Sequence, residues 1–210
     1  MLLSIRLIIF DEEVYREEFA KYNVYENLAG VEVNTINKEV LDYFKGNGEI
    51  KTDFFSAREK EHLLDVKKII TLLSNLIYLL IPLIISLSLI LDIIVGKQAI
   101  LKFLTKIFIY SKVVVFGASI FLILAIWLNF AGSFDFFHQM FFTAGSWLFE
   151  PSLEKIVVLY PVGLFLDFGV RIIFYNVGLS VLAIAVDFGI LWLLKMRAKN
   201  FENVKQSSVK

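Results

Sequence analysis

The chain predicts an all-α membrane protein, with three clear transmembrane helices plus a partial N-terminal helix and a small extracytoplasmic α-rich domain. Three observations carry that prediction. Of the 210 residues, 58% are hydrophobic and 15% aromatic, against about 45–50% apolar residues in soluble domains. Residues 69–91 and 113–134 contain no charged side chain, and 172–194 contain one acid, Asp187. Lysines and arginines gather at 97–112 and after residue 194, whereas 11–68 hold 14 acids against 9 bases.

Residues 1–10, MLLSIRLIIF, are apolar apart from Arg6 and cover about 15 Å as a helix, half a bilayer core. They read as the partial N-terminal membrane helix, the end of a first span that starts in the cytoplasm. An apolar helix packed on the next segment fits the same residues. Residues 11–68 form the water-facing domain. Within it Ile36, Val40, Leu41 and Phe44 recur at helical spacing before Gly46-Asn47-Gly48 ends the helix. Ser56 and Glu59 make a capping box, from which a helix runs through His62 and Asp65 into the first span, 69–95. The charge-free part of that span covers about 34 Å, enough for a hydrocarbon core of about 30 Å, and Pro82 is expected to kink it.

A basic cytoplasmic loop, 96–112, a second span, 113–133, an aromatic interfacial segment, 134–171, a third span, 172–194, and a cytoplasmic tail, 195–210, complete the chain. Asn75, Asn129 and Asn176 in the spans are expected to make interhelical hydrogen bonds. Basic short loops stay in the cytoplasm, so 11–68 and 134–171 face outward across the plasma membrane. The second of these holds four acids to two bases.

That orientation puts His62 and His138, the only histidines in the sequence, on one outer face at the lipid–water boundary. Imidazole titrates near neutrality and suits proton transfer. A lone interfacial histidine serves equally well as an anchor, so it is the pair that points to acid–base chemistry. Asp65, three residues from His62 on one helix face, is placed to hold that ring. Equal totals of 21 acids and 21 bases give no pull toward nucleic acid, and the absence of cysteine removes a thiol nucleophile, a disulfide framework and a Cys metal site. No cofactor or metal is implied. No G-x-S-x-G, H-E-x-x-H, P-loop or G-x-G-x-x-G motif is present. Gly145-Ser146-Trp147 near His138 lacks the strand–turn–helix setting of a serine elbow. Asp187, an acid inside a span, opens two further readings, a transporter or channel, or a structural ion pair with Lys195. A non-catalytic protein that binds lipid or a partner is the third class.

The stretch TDFFSAREKEHLLDVKKI, followed about 70 residues later by FDFFHQMFFTAGSWLFEPSLEKIVVLYP, resembles the lipoprotein intramolecular transacylase (Lit) family from about Asn34 to Tyr175. The resemblance rests on H-L-x-D-V-K, F-H-x-x-F-F and W-x-F-x-P in combination. It implies four membrane helices and an outward-facing site with two essential histidines, which fall on His62 and His138. It also carries over Trp147, Glu150 and Pro151, and makes Arg58, Glu59 and Asp65 candidates to orient His62 or bind substrate. The implied reaction moves the sn-2 acyl chain of a diacylglyceryl-modified N-terminal cysteine to that cysteine's α-amine, giving a lyso-form lipoprotein. The implied partners are the diacylglyceryl lipoprotein and membrane lipids, with the enzyme a monomer.

Overall fold

The computed structural model describes residues 2–95, 97–143 and 145–207. The side chains of Asp187, Lys195 and the lysines at 97, 102 and 106 lie outside that description. Among the described residues the fold is all-helical: α1 (Leu2–Ile9), α2 (Glu12–Lys21), α3 (Val24–Asn27), α4 (Val33–Phe44), α5 (Ala57–Val95), α6 (Lys97–Phe141), α7 (Ile156–Leu159) and α8 (Val162–Ser207).

Two environments divide these helices. Val14, Phe19, Val24, Val40, Leu41, Phe55, Leu159 and Leu164 close a core under α2–α4, α7 and the starts of α5 and α8. The long helices do the reverse and expose Leu79, Ile84, Phe121, Trp127 and Leu182 along their length. Large apolar faces left open in this way are lipid-facing surfaces, since water would disfavour them. Among the described residues two helices, Ala57–Leu91 and Val162–Val186, are long and apolar enough to cross a membrane, and a third crossing results if the bent pair Tyr110–Ala125 and Trp127–Phe141 counts as one.

Several sequence expectations hold locally. Ser56 N donates to Glu59 Oε2 (2.6 Å) and Glu59 N to Ser56 Oγ (3.2 Å), the reciprocal capping box. Helix α4 buries Ile36, Val40 and Leu41 and ends at Phe44. Asn176 accepts from Ser4 Oγ (3.1 Å), which ties α8 to α1.

Other expectations are corrected. The segment 96–112 is not a loop, because α6 starts at Lys97, and lysine is a good helix former. Helix α8 starts at Val162, ten residues before the apolar run at 172. The large bend is in α6, where the two halves meet at 98°. Asn129 makes no interhelical bond there among the described residues. It takes an extended backbone (φ −162°, ψ 86°), and its Oδ1 accepts from Gly132 N (2.9 Å), which caps the second half. Gly132 makes room for it, since a Cβ there would stand 2.5 Å from Asn129 Nδ2. The Ser133 hydroxyl lies 3.1 Å from Ala125 O and 2.9 Å from Asn129 O, so its proton serves carbonyls freed by the bend.

Candidate active site

The bend in α6 turns the aromatic stretch around His138 toward the first turns of α5, which carry His62. The two imidazoles lie 6.3 Å apart, centre to centre, with planes 17° from parallel. Both are buried, at 9% and 8% exposure. Phe142 packs on both rings, at 4.8 Å from His62 and 5.2 Å from His138. Phe149 closes on His62 (5.2 Å), and Phe134 (4.1 Å) and Trp147 (5.8 Å) close on His138.

Hydrogen bonding distinguishes the rings. His138 Nδ1 lies 2.7 Å from Phe134 O. A carbonyl only accepts, so Nδ1 carries the proton and Nε2 of the neutral ring presents a lone pair. His62 Nδ1 is sealed without a partner. A buried N–H with nothing to donate to is less tolerable than an idle lone pair. The neutral His62 ring therefore keeps its proton on Nε2. One accessible Nε2 accepts and the other donates.

The segment after α6 is strapped to α5 by two neighbouring side chains. Arg58 Nη2 donates to Leu148 O (2.7 Å) and Gly145 O (3.2 Å), and Nη1 pairs with Glu154. Its guanidinium also lies over the Phe149 ring, at 4.9 Å. Gly145, at φ +79°, supplies the left-handed residue that this turn needs. Glu59, 2% exposed, accepts from Ile156 N (2.7 Å) at the start of α7 as well as from Ser56 N.

Of the residues singled out in the sequence, the structure brings together His62, His138 and Trp147, with Arg58 one shell behind them. Glu59 is committed to backbone groups and touches neither imidazole. Asp65 shows no hydrogen bond to His62 among the described residues; it pairs with Lys68 three residues on (2.7 Å), a full charge against a neutral ring. The Glu150 carboxylate is exposed and bonds to Ser152 (3.3 Å), away from the pair, while Glu150 N donates to Glu154 (2.7 Å). The sequence reading missed Glu154 as the partner of Arg58 and the rings of Phe142 and Phe149 as the lining. A pairing across 96 residues leaves no local signal, whereas the aromatic density around His138 did mark the lining as a group. Among the described residues no three His, Asp or Glu side chains are grouped to hold a metal ion. Asp187, on which the transporter reading depends, has its side chain outside the described residues.

Lipid-facing helices around a buried imidazole pair define a multi-pass membrane protein. The chain belongs to the lipoprotein intramolecular transacylase family, Lit, whose pattern matches residues 1–165, and it is accordingly a membrane acyltransferase. Its fold is similar to that of the membrane integral lipoprotein intramolecular transacylase Lit from Bacillus cereus. The TM-score is 0.75 at 20% identity, covering 93% of this chain and 90% of that one. Two variants of that enzyme, with a histidine replaced by alanine or by arginine, match with TM-scores of 0.71 at 20% identity, covering 93% of this chain and 88% or 86% of theirs. No curated protein matches the chain.

Proposed function

We propose that His62 and His138 carry out the transfer of the sn-2 acyl chain of a diacylglyceryl-modified N-terminal cysteine to its own α-amine, at the outer face of the plasma membrane. The observation that carries this reading is the near-parallel imidazole pair, 6.3 Å apart, buried at the ends of lipid-facing helices. The substrate supplies both nucleophile and ester, so the enzyme needs no acylated side chain. Holding the two in reach gains effective molarity.

His138 Nε2 is the base. Burial holds the His138 imidazole below its ordinary 6.5, against the opposing pull of Phe134 O and Asp135. An α-ammonium titrates near 8, so the proton transfer is uphill by more than about 2 kcal/mol, which an enzymatic barrier still accommodates. His62 Nε2–H donates to the ester as charge develops. The topology proposed with it has α5, the first half of α6 and α8 crossing the bilayer, and residues 11–68 and the 142–160 strap outside. The substrate is a diacylglyceryl lipoprotein, and the enzyme acts as a monomer.

Mass spectrometry of lipoprotein N-terminal peptides tests this. Cells with the wild-type protein are expected to yield N-acyl, S-monoacylglyceryl cysteine, and His138→Ala or His62→Ala cells only the diacylglyceryl form, with each variant present in the membrane at normal levels. Wild-type amounts of lyso-form from either variant refute the assignment.

A further inference from the structure

Among the described residues four buried side-chain polar atoms lack a hydrogen-bond partner. Three of them, His62 Nδ1, Ser146 Oγ and Trp147 Nε1, belong to the imidazole pair and the turn beside it. Native proteins pair nearly all such atoms, because leaving one sealed and unmade costs about 1–3 kcal/mol. Three at one place mark a site completed by something that enters it. The indole nitrogen is the most informative, since it can only donate. Its missing partner is an acceptor.

The turn that carries it is held rigid. Arg58 grips Gly145 O and Leu148 O, the carbonyls on either side of Ser146-Trp147, so both flanks of the dipeptide are fixed by one guanidinium. The indole centre is 5.8 Å from that of His138. The indole and the imidazole are therefore neighbours in one lining, and an ester held against His138 lies beside the indole ring. A donor already fixed and desolvated before substrate arrives needs no reorganisation as charge develops, which is the condition for strong electrostatic stabilisation.

Resting on the acyl transfer proposed above, we infer that Trp147 Nε1–H is a catalytic hydrogen-bond donor to the carbonyl oxygen of the migrating acyl group, with Arg58 its positioning residue. In the step it serves, the amine nitrogen bonds to the ester carbonyl carbon and the C=O π pair moves onto oxygen. The nitrogen's proton passes to His138 Nε2. Collapse re-forms the carbonyl and breaks the bond to the glycerol oxygen, which takes that proton from His138 Nε2 and leaves as the hydroxyl. The indole keeps its own proton throughout, and Ser146 is not acylated.

The test uses the full-length protein in lipid or mild detergent, with a synthetic diacylglyceryl lipopeptide and initial rates of N-acyl product. Trp147→Phe keeps an aromatic ring and removes the donor. Replacement of Trp147 by benzothienylalanine keeps the bicyclic shape, with sulfur in place of N–H, and decides the matter if the phenylalanine variant fails to fold. The expected result is a fall in kcat on the order of 10²-fold, with KM within about twofold of wild type and no loss of thermal stability. Arg58→Ala should lower kcat in the wild type but add little in the Trp147→Phe background. Unchanged kcat overturns the inference, and so does a rise in KM alone, which would assign the ring to acyl-chain packing. Should His138→Ala remain inactive while Trp147→Phe turns over normally, only this inference falls. Normal turnover by His138→Ala removes the acyl-transfer assignment itself.

Discussion

Glu59→Gln separates holding the site from acting in it. Glu59 is 2% exposed, and its carboxylate accepts two backbone N–H groups, Ser56 N at 2.6 Å and Ile156 N at 2.7 Å. Hydrogen bonds to a charged acceptor contribute about 1.5–3 kcal/mol each. Glutamine keeps one acceptor oxygen and turns an amide N–H₂ toward the other donor, so one bond is lost, its donor is left unpaired, and the surviving bond loses its charge. The expected destabilisation is about 3 kcal/mol. In a chain of 210 residues that lowers Tm by about 6–12 °C. The assay is thermal unfolding of the purified protein in detergent, paired with turnover measured well below both midpoints. Because the carboxylate touches neither imidazole, kcat at low temperature should stay within about threefold of wild type. An unchanged Tm with a hundredfold loss of kcat/KM would refute the reasoning, and would place Glu59 on the substrate amine instead.

Two further outcomes follow from polar groups elsewhere in the fold. Asn129→Ala removes the cap of the second half of α6 and should cost about 1 kcal/mol, with turnover falling more than stability because the bend sets where His138 stands; thermal unfolding and lipopeptide turnover on one preparation check both. Glu18 is buried against Asp167, and its Oε2 has no partner, although Arg171 donates to Oε1 (3.0 Å). Burial first, and the Asp167 carboxylate second, push its carboxyl above the ordinary 4.5, while Arg171 and Lys21 oppose them. A raised folded value stabilises most below 4.5 and loses that contribution as pH rises through the folded value. Glu18→Gln should therefore melt no lower than wild type at pH 7.5 and gain no advantage at pH 4, as thermal scans across that range would show.

Much of this arrangement is written in local patterns. The capping box at Ser56 and Glu59, the helix ending at Phe44 and the apolar run through α5 each depend on residues within a few positions of one another, and periodicity or composition exposes them. The bend was not legible. Its causes, an asparagine, a glycine and a serine at 129, 132 and 133, sit inside an apolar run where hydropathy predicts a straight span. Asp65 was misread for a related reason, since the three-residue spacing that places it near His62 also places it near Lys68, and helix geometry alone does not choose between a ring and an ammonium. The histidine pair was legible because topology put both on one face. Their separation of 6.3 Å comes from the bend and from the Arg58 strap, which joins residues about 90 apart in sequence.

The aromatic lining has a chemical consequence on the proposed reaction. An activated ester within reach of a base can lose its acyl chain to water as well as to an amine, and water is far more concentrated. The amine wins only if water is kept out until it is in place. Phe134, Phe142, Phe149 and Trp147 surround the imidazoles on the sides that the helices leave open, and the strap that carries three of them is held down by Arg58 and Glu59 rather than by apolar contact alone. A lining of rings on a loosely held loop would admit solvent with each local opening. Charge-assisted bonds from the first turn of α5 to the backbone of that segment raise the cost of such openings, and they do so without placing an ionised group on the imidazoles themselves. The polar groups around this site thus divide between two tasks: Arg58 and Glu59 keep the lining shut, and the imidazoles are left free to exchange protons with the substrate.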